Sequence, residues 1–188
     1  MGSSPLGYLN TVAIVLAAYL AVFVESSFGA VRNWTGAQID VVPVLMVYCG
    51  LSTGLGTLTL TAVLAGLWFD TLSANPLGIS VLPLFLVGFI IYRARDLILR
   101  EQPYARLVLG MVASAAAPLM TVLLLWTGGY RPLVGWGSLW QWVVLAVGGG
   151  VLTPVCFWFF DRLNNALAYR PPSDSTFRPD REIKRGRA

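Results

Sequence analysis

The stretch Gly66–Leu99, GLWFDTLSANPLGISVLPLFLVGFIIYRARDLIL, decides how this chain folds. A lone acid, Asp70, closes an apolar run. A tight turn follows, Ser73-Ala74-Asn75-Pro76-Leu77-Gly78, then a second apolar run, and then a burst of arginines from Arg93 to Arg100. Two apolar runs joined by Ser, Asn, Pro and Gly read as a helical hairpin, because those residues set the backbone angles that reverse a chain. The polar turn marks one membrane face and the arginines mark the other.

Composition extends that reading to the whole chain. Of 188 residues, 56% are hydrophobic and only 12% are charged, against roughly 25% charged in a soluble domain. Mean hydropathy is +0.70. The apolar runs are continuous rather than alternating, so helices are favoured over a barrel, whose strands repeat every second residue. Inside lipid a helix satisfies its own backbone, and about 20 residues cross the ~30 Å hydrocarbon core.

The chain therefore reads as an all-α membrane protein, a compact bundle of about six transmembrane helices over residues 1–169. The spans are about Val12–Val24, Val41–Leu51, Leu55–Leu72, Leu77–Tyr92, Ala105–Trp126 and Leu139–Phe160. The first lacks the basic leader and small-residue cleavage site of a signal peptide. Two readings of Val41–Leu72 are open. One is a single tilted or broken helix, ~48 Å long at 1.5 Å per residue. The other, favoured by Gly50, Gly54 and Gly56 at its centre, is two helices with a reversal between them.

Lys and Arg concentrate on the cytoplasmic side of membrane proteins. With six spans and both termini inside, Arg93, Arg95, Arg100, Arg106, Arg162 and the cations of the tail are internal, 11 of 13 in all, leaving Arg32 and Arg131 outside. Arg93, Arg95 and Arg100 read as cytoplasmic anchors. Five spans would move the N-terminus out and Arg32 in. The segment 170–188 is Pro-rich, polar and mixed in charge. It reads as a disordered basic cytoplasmic tail, attracted to anionic headgroups or docking a cytosolic partner.

Catalysis finds little support. The chain has no histidine, which removes the usual base for a Ser or Cys nucleophile, HExxH zinc sites and haem ligation by His. No phosphate-binding GxxxxGK[ST] loop is present. Cys49 and Cys156 fall within spans and read as packing residues. No enzyme activity, cofactor, metal or nucleic-acid partner is expected.

Charges near membrane depth are the remaining clue. Glu25, Asp40 and Asp70 all fall near the outer interface. Glu25 and Asp70 sit at the C-terminal ends of outward-running helices, where the helix dipole disfavours an anion. Asp70 has compensating donors nearby, the amides around Asn75 to Gly78. Pro76 suits the first position of the next helix, and Gly78 would let backbones approach. Glu25 reads as solvated or paired with Arg32 or Arg131. Small-xxx-small faces at Gly50/Gly54, Ala62/Gly66 and Gly110/Ser114 read as internal helix packing or as docking for a partner helix. Trp126, Trp136, Trp140 and Trp142 read as an interfacial belt.

A pattern of Gly-rich helix, Asp, short turn, Leu-Gly, helix and basic end resembles the MreD family of rod shape-determining integral membrane proteins. The positions are Gly66, Asp70, Ser73, Pro76, Leu77, Gly78 and Arg93 to Arg100. Glu25-Ser26-Ser27-Phe28 and Pro43 at the start of the second span add to it, and the resemblance covers about Val12 to Asn165. The basic tail and the Trp-rich loop Gly128–Gly137 depart from the family. The resemblance implies a non-enzymatic scaffold in the bacterial cytoplasmic (inner) membrane. It would bind an MreC-type single-span protein and help couple MreB filaments to peptidoglycan synthesis by a RodA-type glycosyltransferase and a class B transpeptidase. Contacts with that partner, or with a pocket, would come from Glu25, Asp70, Ser73, Pro76 and Gly78. The family is also similar to the substrate-binding subunits of energy-coupling-factor vitamin transporters. That makes a transporter subunit the rival reading, its pocket lined by Glu25, Asp70 and the outer tryptophans. A membrane-bound transferase would need clustered acidic metal ligands, which the sequence lacks.

Overall fold

The structure, a computed structural model, describes residues 5–27, 36–73, 75–96, 102–130 and 135–167. Six helices account for most of them, and no strand occurs among the described residues: α1 Pro5–Ser27, α2 Val42–Ser52, α3 Leu55–Leu72, α4 Val81–Ala94, α5 Pro103–Thr127 and α6 Trp136–Leu167. Four helices, α1, α3, α5 and α6, are long and apolar enough to cross a membrane. The protein is an all-helical membrane protein. At 1.5 Å per residue, α2 and α4 are only about 16 and 21 Å long.

Side-chain contacts fix the direction of every helix. Thr11 of α1 bonds Thr57 of α3 at 2.8 Å, and Tyr19 meets Trp68 edge-on at 5.0 Å, so α1 and α3 run the same way. Gly66 of α3 lies against Val81 at the start of α4, and Leu58 lies against Gly88 further along, so α3 and α4 are antiparallel. Arg106, early in α5, is 3.8 Å from Asp161, late in α6, so this pair is antiparallel too. Gly50 of α2 and Leu58 of α3 both meet Gly88. The chain therefore reverses between them, and the continuous Val41–Leu72 helix does not occur. Thr53 carries the break, its extended backbone (φ −123°, ψ 178°) ending α2.

Helix α2 is the hub. Residues Val42 to Leu51 are all buried, and the helix packs against each of the other five. A helix apolar on every side belongs in the middle of a bundle. Its Tyr48 stacks on Phe160 (4.5 Å between ring centres), meets Phe157 edge-on (5.1 Å), and accepts a hydrogen bond from Asn164 Nδ2 at 3.1 Å. Pro43 falls in the first turn of α2, as expected, where its missing N–H has no helical partner to lose. Outward faces are aliphatic. Val143, Val147, Val151 and Val155 form an exposed stripe at four-residue spacing on α6, where lipid replaces protein neighbours.

Small residues bring the backbones together. A Cβ on Gly50 would stand 2.8 Å from the Gly88 carbonyl oxygen, and one on Gly66 would stand 2.8 Å from Val81 Cα. In the α5–α6 pair, Gly110 is closed by Thr153 and Gly149 by Ser114. These faces are turned inward. Gly54 corrects the sequence reading: it is exposed at the start of α3, and a Cβ there would meet nothing within 4 Å. It serves the turn, not packing.

Arg93, Arg95, Arg106 and Arg162 fall at one end of the bundle. Arg106 lies over the Phe157 ring at 4.4 Å, and Arg95 lies over Tyr92 at 4.4 Å while exposed. Arg100, Arg32, Arg131 and the 170–188 tail lie outside the described residues. The glycine contacts make a prediction. Gly50→Ala and Gly66→Ala should each destabilise the bundle by ~1–3 kcal/mol through overpacking. Gly56→Ala, in open space in the first turn of α3, should stabilise it by ~0.5–1 kcal/mol. Thermal unfolding in detergent measures all three, and the idea fails if the three variants shift in the same direction.

Candidate functional site

The end of the bundle opposite the arginines is built by two carboxylates that meet the starts of two short helices. Asp70 is 2% exposed in the last turn of α3. Its Oδ2 accepts hydrogen bonds from the amides of Gly78 (2.8 Å) and Ser80 (3.1 Å). Ser80 is the residue that caps α4. A carboxylate at the negative end of one helix is thus neutralised by the positive end of the next. The expected donor set around Asn75 to Gly78 is largely realised, shifted by two residues toward α4.

The turn corrects two expectations. Helix α4 begins at Val81, not at Leu77, so Pro76 is not its first residue. Pro76 sits in the turn, and its carbonyl accepts from Ile79 N at 3.3 Å. Gly78 is not a close-approach glycine, since a Cβ there would meet nothing within 4 Å. It is needed for its left-handed backbone, φ +89°. Ser73 ends α3, its hydroxyl donating to the Asp70 carbonyl (3.4 Å) and accepting from Asn75 N (3.4 Å).

Glu25 repeats the theme on the other short helix. Near the end of α1, its Oε1 accepts from the amide of Val41, the residue that caps α2. Its pairing with Arg32 or Arg131 falls on residues outside those described. The preceding segment is clamped from α6: Gln141 donates Nε2–H to the Gln38 carbonyl (2.9 Å) and accepts from Gln38 N (3.1 Å). Ile39 packs onto Gly148. These contacts hold Asp40 in place.

Between the two capped helix starts lies a cavity of about 230 Å³. Its polar groups are Asp40, Asn75, Ser80 and Thr121. Pro43 of α2, Pro83 of α4 and Pro118 of α5 form much of the remaining wall, with Phe69 and Leu84. Ser80 is 4% exposed and its Oγ has no hydrogen-bond partner; Asp70 Oδ1 is also buried without one. Burial pushes the Asp40 carboxyl up to about 6.

Sequence reasoning places Glu25, Asp70 and the outer tryptophans around an outward pocket. The structure corrects this. Glu25 and Asp70 stand behind the cavity, capping the helices that form it. Trp126, Trp136 and Trp140 are exposed and take no part in its wall, and neither does Trp142. Asp40 is a candidate acid to which the sequence assigns no role; Asn75, Ser80 and Thr121 escape sequence reasoning as cavity residues. A signal is present: Val41-Val42-Pro43-Val44 and Val81-Leu82-Pro83-Leu84 repeat at an interval that sets Asp40 against Ser80. Among the described residues no group of three or more His, Cys, Asp or Glu could hold a metal ion.

No family model, no curated protein and no solved structure matches this chain.

Two outcomes follow from the site. Asp70→Ala leaves the half-buried Gly78 amide and the buried Ser80 amide unpaired and should cost ~2–4 kcal/mol, while Gly78→Ala should cost ~1–2 kcal/mol from its backbone angle alone. Unfolding in detergent measures both, and a neutral Asp70→Ala would refute the cap. Asp40 holds its proton more tightly folded than unfolded, so its contribution is full below pH 3.8 and is lost as pH rises through about 6. Asp40→Asn should therefore flatten the stability profile across that window and leave the variant more stable than the parent at pH 7. An unchanged slope would show that Asp40 does not titrate there.

Proposed function

We propose that this chain is a non-enzymatic scaffold subunit of the bacterial cell-elongation machinery, similar to MreD. All six helices cross the inner membrane, both termini face the cytoplasm, and the acidic end faces outward. The alternating helix directions support the six crossings, and the arginines at one end support the orientation. The segments flanking α2 and α4 complete the passage of those two short helices.

The observation that carries the reading is the α3–α4 hairpin. The residues behind the resemblance, Gly66, Asp70, Ser73 and Gly78, are the ones that hold it: Gly66 seats Val81, Asp70 caps α4, and Gly78 turns the chain. A rigid outer hairpin offers a fixed surface to a partner such as an MreC-type protein, since little ordering entropy is lost when it docks. MreB filaments, a RodA-type glycosyltransferase and a class B transpeptidase would then assemble around it. The cavity favours a second reading, the substrate-binding subunit of a vitamin transporter.

Affinity purification of the tagged chain from its native membranes in mild detergent, followed by mass spectrometry, tests both. An MreC-type protein and elongation synthases should be recovered. Asp70→Ala and Gly78→Leu should reduce that recovery severalfold and round the cells. Recovery of paired ATPases with a membrane coupling subunit would replace the scaffold with the transporter. Normal rods and full recovery with both variants would rule out the hairpin as the docking element.

A further inference from the structure

The cavity between α2, α4 and α5 has an unusual balance of hydrogen-bonding groups. Helix starts ordinarily present free amide donors and attract anions. Here several of those donors are consumed or missing. The Val41 amide is taken by Glu25, and the Gly78 and Ser80 amides are taken by Asp70. Pro43, Pro83 and Pro118 have no N–H at all.

What faces the cavity is rich in acceptors. Asp40 contributes a carboxylate with no hydrogen bond or ion pair among the described residues. Ser80 contributes a hydroxyl that is 4% exposed and unpartnered. Thr121 spends its hydroxyl proton on the Ala117 carbonyl (3.0 Å), which leaves its oxygen as an acceptor. Asn75 adds a side-chain amide, whose oxygen accepts and whose NH2 donates. Charge agrees with this inventory. Asp40 lines the cavity, Asp70 stands behind it, and the described lining residues include no Lys or Arg. The floor is apolar, with Phe69 and the proline rings.

We propose that this cavity binds a small organic ammonium compound, its N–H groups on Asp40, Ser80 and Thr121 and its apolar body against Phe69 and the prolines. An ammonium group brings three donors and no acceptor, which complements the Asp40 carboxylate and the Ser80 and Thr121 hydroxyl oxygens. A cation also offsets the burial of Asp40 that otherwise weakens the fold. The volume of 230 Å³ equals about eight waters, which sets the ligand at roughly that many heavy atoms. The proposal does not depend on the scaffold reading, because it concerns the isolated chain.

The test uses the full chain, purified in detergent and stripped of lipid, with benzylammonium as the probe. Benzyl alcohol and benzoate serve as its neutral and anionic isosteres. Isothermal titration should show saturable binding of benzylammonium, about tenfold or more weaker binding of benzyl alcohol, and none of benzoate. Asp40→Asn should weaken the probe about tenfold or more, and Ser80→Ala and Thr121→Val a few-fold each, with melting temperatures confirming that all three fold. Native mass spectrometry of unstripped protein identifies the source. An amine-bearing phospholipid retained at one per chain, and lost in Asp40→Asn, makes the ammonium a headgroup; binding of the probe without such a lipid makes it a free amine. Absence of saturable binding, equal binding of benzyl alcohol, or unchanged binding in Asp40→Asn overturns the proposal.

Discussion

The bundle depends on a carboxylate at the end of one helix satisfying the start of the next. Asp70 takes the amides of Gly78 and Ser80, and Glu25 takes the amide of Val41. Each interaction joins the end of a long helix to the start of a short one. In lipid this matters more than in water, since an unpaired amide there has no solvent to turn to. The caps also cancel the helix dipoles at both junctions. Short helices α2 and α4 can then start inside the protein rather than at its surface.

That arrangement explains why α2 can be the hub. Eleven residues cannot form a stable helix alone. Its stability comes from being enclosed, by aromatic contacts at Tyr48 and by the backbone approach of Gly50 to Gly88. There is no hydrophobic drive between helices in lipid, so close fit has to supply the cohesion. The same logic holds at the α5–α6 interface, where glycines on each helix accept side chains of the other.

Much of this is legible in the sequence where the determinants are local. Asp70 and Gly78 are eight residues apart, within one turn, and helix-dipole reasoning points from the acid to donors in that turn. The break at Thr53-Gly54 follows from glycines in a run too long for one span. The contact of Glu25 with Val41 spans sixteen residues, so no local rule reaches it. Gly54 shows the limit of a motif: small-xxx-small spacing is met at Gly50 and Gly54, yet the helix ends before the second glycine can pack. Asp40, Ser80 and Thr121 come from three parts of the chain, and only tertiary placement brings them to one wall.

The cavity itself follows from unequal helix lengths. Helices α2 and α4 run the same way, and Pro43 and Pro83 near their starts line one wall. Both begin below the level reached by the longer α3 and α5, whose Phe69, Pro118 and Thr121 continue past them. Two short helices between two long ones leave a well above their N-termini. A well over helix starts would ordinarily be a socket for anions. The caps and the prolines weaken that preference by removing several of the donors, and Asp40 turns it toward cations by adding a carboxylate. The features that let the short helices exist inside the bundle are thus the same ones that give the well its chemistry. The acidic end is the part of this molecule where structure and recognition are least separable.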